Sequence, residues 1–405
     1  MKVFPKNFFL IFFILTCTTL CFAQSAVESL SKAFHWRNIG PSNQGGRIVD
    51  IEAVEDDFAH VYVASASGGV WKSENAGTTW QPIFDQYEVA SIGDIAIFQN
   101  RPDIIWVGTG EANNRNSVSW GNGIYRSGDG GKTFVHLGLE NTHQIARVIT
   151  HPKDSNHVYV AAIGHLWGYS GERGLFETKD GGKSWKKLTN GLPDDGKTGC
   201  TDLIMDPSNP KILYAAFYQR LRQPWTFHSG GPNGGIFKST DGGKSWKKLT
   251  DGLPKGETGR IGLAIYRSNP KIIMALVEAE KSESLDKPGS GVYRSEDGGQ
   301  SWKYVNTYNN RPFYYSQIRI NPLDDQKVYL LTTRFMVSED GGKTLKNGSE
   351  DQEVHGDFHA LWLDPNQKER YYLGADKGLS ITHDHRHHFT LLDNFAIGQF
   401  YRITY

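Results

Sequence analysis

The residues best equipped for chemistry in this 405-residue chain are guanidinium groups, indole rings and imidazoles gathered in a few glycine-rich segments. GEANNRNSVSWGNG carries Glu111, Asn113, Asn114, Arg115 and Trp120, and GHLWGYSGERG carries His165, Trp167, Tyr169, Glu172 and Arg173. QRLRQPWTFHSGGPNGG carries Arg220, Arg222, Trp225, Phe227 and His228. Trp and Arg dominate binding hot spots, and aromatic faces also suit sugar rings or peptide side chains. Arg47, Glu111, Arg115, Trp120, His165, Trp167, Tyr169, Arg220, Arg222 and Trp225 are therefore the candidate ligand-binding residues. The plainer alternative is that these side chains only pack the loops onto each other.

Acids and imidazoles offer other chemistry. Glycoside hydrolysis normally needs two carboxylates flanking the scissile bond. Asp50, Asp94, Glu111 and Asp202 are available, but nothing in the sequence pairs them, so no catalytic residue is assigned. VHGDFHALWLDP sets His355, Asp357 and His359 at alternate positions, which on a strand share one face and would suit a metal. THDHRHHF adds His383, His385, His387 and His388. Solvated or channel-lining histidines are the weightier reading, and neither a metal nor a cofactor is expected.

The elements that must position these residues are announced by a repeat. SENAGTTW from Ser73, SGDGGKTF from Ser127, TKDGGKSW from Thr178, STDGGKSW from Ser239, SEDGGQSW from Ser295 and SEDGGKTL from Ser338 share one pattern. THDHRHHF from Thr382 keeps the spacing without the glycines. Successive copies start 43 to 61 residues apart, the range of propellers and solenoids. Around the first copy, GRIVDIEAV, HVYVASAS, GVWKSE and WQPIF are short runs rich in β-branched and aromatic residues, which predict four strands. Four strands per unit and about seven units predict an all-β fold, a β-propeller of four-stranded blades. The motif falls between the third and fourth strands. Its aspartates can accept hydrogen bonds from their own turn, and its glycines supply positive φ. Repetition in every unit marks these aspartates as staples rather than catalysts.

The motif turns should define one face, and the loops between second and third strands the other. Those loops are very short in units one, six and seven and long in units two to five, so the candidate binding wall lies opposite the motif. The inner strands open on Arg47, Asp94, Arg147, Asp202, Arg260, Gln317 and His359, which should stand near the mouth of the central channel. AIGQFYRITY at the end reads as the first strand of an eighth unit, and FHWRNIG (34–40) as a fourth strand. An unpaired final strand is an aggregation liability, so a larger parent propeller is the favoured expectation over an irregular closure.

Lys2 and Lys6, the apolar stretch from Phe8 to Leu20 and the small residue Ala23 before Gln24 predict a cleavable signal peptide over residues 1–23, with the propeller over 24–405 and a secreted or periplasmic destination. Lipidation at Cys17 or Cys21 is the weaker reading, because neither follows a small residue. Cleavage would leave only Cys200, so no intramolecular disulfide is expected, and a core of this size needs none. Cys200 opens an apolar run and reads as a small buried side chain. The 44 basic and 44 acidic residues balance, which argues against nucleic-acid partners, and no second apolar stretch reaches spanning length.

The repeated Ser-x-Asp-x-Gly-x-Thr/Ser-Trp/Phe pattern resembles the Asp-box, or bacterial neuraminidase repeat. Over nearly the whole mature chain the sequence resembles Asp-box propellers related to the sortilin N-terminal domain and to xyloglucanase glycoside hydrolases. That pattern specifies fold strongly and function weakly. The sialidase Arg-Ile-Pro motif is absent. Xyloglucanases of this fold carry an aspartate shortly before a Gly-Gly pair in the first blade; here VASASGGVW puts Ala66 in that place. The sortilin resemblance implies peptide or protein binding. The leading expectation is an exported binding module for a peptide, protein or glycan, with a polysaccharide hydrolase as the alternative.

Overall fold

A computed structural model describes residues 45–394 apart from 117, 351–353 and 355, together with 396–398. The expected signal peptide, the FHWRNIG strand and most of the final AIGQFYRITY segment lie outside the described residues. The described part is all-β: seven antiparallel sheets, each running through four strands in sequence order. The single exception to strand is a short 3-10 turn at Glu140–Thr142. The first strands of sheets one to seven are Ile48–Val54, Ile92–Ile97, Ile145–His151, Thr198–Met205, Ile261–Ile265, Gln317–Asn321 and Phe358–Leu363. Each packs beside the first strand of the next sheet, and that of sheet seven packs beside that of sheet one. The sheets therefore close a ring with their first strands innermost.

The core lies between neighbouring sheets, because alternation gives each strand two apolar faces only where both are covered. Val61, Val63 and Trp71 of sheet one pack with Trp362, Tyr372 and Ile381 of sheet seven, and Ile397 joins them. Close approach of the inner strands demands glycine at set places. A Cβ on Gly93 would stand 1.9 Å from the Ile145 carbonyl oxygen, and one on Gly262 2.1 Å from that of Ser316.

The repeated motif forms the same hydrogen-bonded turn in the glycine-bearing copies. In the second copy the buried Ser127 hydroxyl donates to Asp129 (2.8 Å) and accepts from the Gly131 N–H (2.9 Å). Asp129 in turn accepts the N–H and the hydroxyl of Thr133 at 2.9 and 2.6 Å. The hydroxyl of Thr133 and then its N–H lower the Asp129 pKa to about 2. The turn is also pinned to its own sheet, since the Gly130 N–H donates to Asp103 between the first and second strands. Gly181, Gly242, Gly298 and Gly341 repeat that bond in sheets three to six. The motif and the first-to-second strand turns thus share one face, and the second-to-third strand loops lie on the other. In sheet four the expected loop is an extra hairpin. The second strand runs on to Gln223 and pairs with Thr226–Ser229, which leaves Trp225 at the tip.

Candidate functional site

Opposite the motif, four residues from three neighbouring sheets meet. Arg47 precedes the first strand of sheet one, and Glu111 follows the second strand of sheet two. His359 lies in the first strand of sheet seven, and Asp376 sits in that sheet's two-residue turn before Gly378. Arg47 Nη1 is 3.1 Å from Glu111 Oε1, and Arg47 Nε donates to Asp376 at 2.7 Å. His359 Nε2 lies 2.9 Å from the same Asp376 oxygen. The bridge runs from sheet seven across sheet one to sheet two. Burial alone would raise the Asp376 carboxyl. The hydrogen bonds from His359 and then Arg47 outweigh it and hold the group well below the usual carboxylate range. Burial lowers the pKa of His359, whose Nδ1 has no hydrogen-bond partner.

A second group covers this network. Tyr314 meets the His359 ring edge-on at 4.8 Å, and Tyr315 stacks on it at 5.2 Å. Tyr315 donates to Asp357. The guanidinium carbons of Arg47, Arg115 and Arg311 stand 5.8, 5.2 and 5.6 Å from the Tyr314 ring centre, within cation–π range. The segment that supplies both tyrosines, TYNNRPFYYSQ, joins sheet five to sheet six and so lies outside the second-to-third strand loops that the sequence marks as the binding wall. Its adjacent tyrosines and paired asparagines were the available signal.

Deeper in the ring the carboxylates serve as pins. Asp50, Asp94 and Asp202 accept the N–H groups of Ile95, Val148 and Leu263, each in the following inner strand, at 2.9, 2.7 and 2.9 Å. Arg147 bridges Asp94 at 2.8 Å and Asp202 at 3.0 Å. Glu52 lies further along the same strand as Asp50. Burial, then the nearby Asp50 and Asp94 charges, push its carboxyl well up. Ala66 is buried in the core between sheets one and two.

The aromatic candidates divide. Trp120 is 63% exposed and stacks on His143, which stacks on His165 with ring centres 3.6 Å apart. Trp167 and Trp225, 48% and 78% exposed, join no ring stack among the described residues. Tyr169 accepts from Gln219, and Arg222 lies over Phe227 at 4.4 Å. Arg220, another of the candidates, faces inward. It is fully buried, and its guanidinium donates to Ala112 O, Asn114 Oδ1, Gln144 Oε1 and Gly164 O. It ties the loops of sheets two and three together.

Of the alternating His355, Asp357 and His359, the two described residues do not share a partner. His355 lies outside the described residues. Asp357 has φ +68°, so the strand begins only at Phe358. Asp357 turns to Tyr315, whereas His359 turns to Asp376.

These features define a class: an all-β ring of four-stranded antiparallel sheets with a charged, tyrosine-covered mouth on one face. Residues 122–287 match the family model described as "Sortilin, neurotensin receptor 3". Xyloglucanase Xgh74A of Acetivibrio thermocellus is 22% identical over 363 residues, covering 70% of this chain and 41% of that protein. A xyloglucanase of Paenibacillus is 24% identical over 254 residues, covering 56% and 23%. Among solved structures, the GH74 enzyme of Niastella koreensis has a TM-score of 0.60 at 18% identity, covering 84% of this chain and 53% of that one. YCF48 of Cyanidioschyzon merolae has a TM-score of 0.56 at 16% identity, covering 85% and 97%. The chain thus resembles both the sortilin-type and the xyloglucanase-type propellers, and spans less than half the length of the curated relatives it matches. No helix among the described residues is long and apolar enough to cross a membrane.

Proposed function

We propose that this chain is an exported seven-bladed β-propeller, stapled by Asp-box hairpins, that binds a glycan across the face opposite the hairpins. Residues 1–23 would direct export, and residues from 24 onward would form the propeller. The observation that carries the reading is the contrast between free aromatics and engaged acids. Trp167 and Trp225 offer open indole faces, and Trp120, stacked on His143, is still largely exposed; such faces suit sugar rings. The mouth carboxylates Glu111 and Asp376 are both held by Arg47. Asp50, Asp94 and Asp202 accept backbone N–H groups of the next sheet. Hydrolysis requires one carboxyl that keeps its proton while a second attacks or activates water. Asp376, held far below that range, cannot donate one. Glu52 is pushed up but lies along the channel toward the motif face.

The second reading is a polysaccharide hydrolase, favoured by relatives that are themselves xyloglucanases. One solved relative is YCF48 bound to a D1 peptide, at a TM-score of 0.54, so peptides belong in the test as well. A panel of polysaccharides and peptides should be assayed for both retention and reducing-sugar release. The proposal expects glycan retention without turnover, weakened in Trp167→Ala and Trp225→Ala at an unchanged melting temperature. Sugar release that disappears in a single carboxylate variant would replace it with the hydrolase reading.

A further inference from the structure

Two of the three arginines at the mouth have no carboxylate partner among the described residues. Around Tyr314 stand Arg47, Arg115 and Arg311. Only Arg47 has carboxylate partners; among the described residues Arg115 and Arg311 form no ion pair. The Tyr314 side chain is completely buried, yet its hydroxyl has no hydrogen-bond partner, and the facing His359 ring has an unpartnered Nδ1. An orphaned buried hydroxyl is costly unless something bonds to it. The backbone here is also held in unfavourable conformations. Arg311, Ser316 and Asp357 have φ of +51°, +46° and +68°, a region that non-glycine residues rarely occupy. Strain of this kind clusters where a site must hold its groups ready for a ligand.

Arg311 also lines a cavity of about 700 Å³ in which Lys281 and Asn310 stand alongside apolar groups such as Tyr308, Met336 and Leu345. That mixed lining, with cations and amides beside apolar side chains, suits a charged sugar, whose ring has both hydroxyls and an apolar C–H face. Guanidinium groups recognise carboxylates by paired N–H donors. We propose that the mouth around Tyr314 is an anion subsite, in which Arg115 and Arg311 hold the carboxylate of a uronic-acid-bearing oligosaccharide and the neighbouring amides take its hydroxyls. This inference rests on the glycan-binding reading above and narrows its ligand class.

The test is calorimetric titration of the full chain with tetragalacturonate, a neutral xyloglucan oligosaccharide of similar size, and an acidic tetraglutamate peptide amide. Arg115→Gln, Arg311→Gln and Tyr314→Phe accompany the native chain, with urea midpoints as a control for folding. The expected result is preference for tetragalacturonate, weakening with salt, and a loss of about tenfold or more in each arginine variant, the scale of one charge-assisted hydrogen bond. Tyr314→Phe, which removes only the orphaned hydroxyl, should cost less. Neutral oligosaccharide bound as tightly, or uronate binding indifferent to both arginines, would overturn the inference and leave the glycan reading standing. Binding of the peptide alone would overturn both in favour of a peptide partner. Binding of none of the three would also sink both.

Discussion

Arg47→Met removes the cation that holds Glu111 and Asp376 together and leaves a shorter, unbranched apolar side chain in its place. In the native chain Arg47 faces Glu111 at 3.1 Å and Asp376 at 2.7 Å, and the three side chains are largely shielded from water. Removing one partner of a buried ion pair costs about 3–5 kcal/mol, because the remaining charge is left uncompensated. Two carboxylates are stranded here, but His359 still bonds to Asp376, so the same range is expected rather than twice it. The pH dependence separates this mechanism from simple loss of packing. Asp376 has a depressed folded pKa. Its contribution in the native chain is complete above the unfolded value near ~4 and is lost as pH falls through the folded value. In the variant the stranded carboxyls relieve their penalty by taking up protons. The difference between the two proteins should therefore be largest at neutral pH and shrink toward about pH 4.5. Urea unfolding followed by tryptophan fluorescence at both pH values measures it. A penalty under ~1 kcal/mol at neutral pH, or one that does not change on acidification, would refute the reasoning.

Two further changes probe the staples. Ser127→Ala removes a buried hydroxyl that serves both Asp129 and the Gly131 N–H, and should cost about 1–3 kcal/mol in the same urea assay; a neutral result would mean the turn holds without its serine. His385 sits buried between Tyr329 and Tyr371, with Glu339, Lys327 and Arg386 as its charged neighbours, and both ring nitrogens lack a hydrogen-bond partner. Burial lowers its pKa to about 4. The unfolded chain takes its proton first, near pH ~6.5, so native stability should fall as pH drops from there toward 4. His385→Asn, which tolerates the left-handed backbone at φ +70°, should flatten that slope by about 3 kcal/mol. An unchanged slope in pH-resolved unfolding would place the titration elsewhere.

The repeat made much of the architecture legible. A motif at regular spacing between apolar runs announces strands without reference to any distant contact, and the four-run unit around Ser73 corresponds to four observed strands. The staple role of the aspartates was equally legible, because their partners lie within four residues. The part played by Ser127 and its equivalents was there to be seen, since Ser or Thr opens every copy. Arg220 has surroundings that were not legible, for a physical reason. It stands in an aromatic, glycine-rich segment that looks exposed, but its acceptors lie 56 to 108 residues away in other loops. Asp376 was passed over because its loop has only two residues. Length of loop proved a poor guide to the mouth, where a short turn delivers a carboxylate as well as a long one does.

Departure from the repeat is the better guide to function in such a ring. In sheets one, two and four the inner strand bulges just before Asp50, Asp94 and Asp202, and each pins the next inner strand. A role repeated by identical residues is a scaffold role. Sheet three places Arg147 in the same register and uses it to neutralise two of those aspartates. Sheet seven keeps the bulge but puts Ala360 in the aspartate's place. The preceding His359 is freed to face Asp376 and the two tyrosines. Sheets five and six lack the bulge, or show it only at the far end of the strand, and the strained Arg311–Ser316 connection runs between them. The symmetric pins and the asymmetric mouth therefore occupy different sectors of one ring. A ligand held by Arg115 and Arg311 would meet the sector where scaffold demands have been relaxed, and its binding should disturb the pinned sheets little.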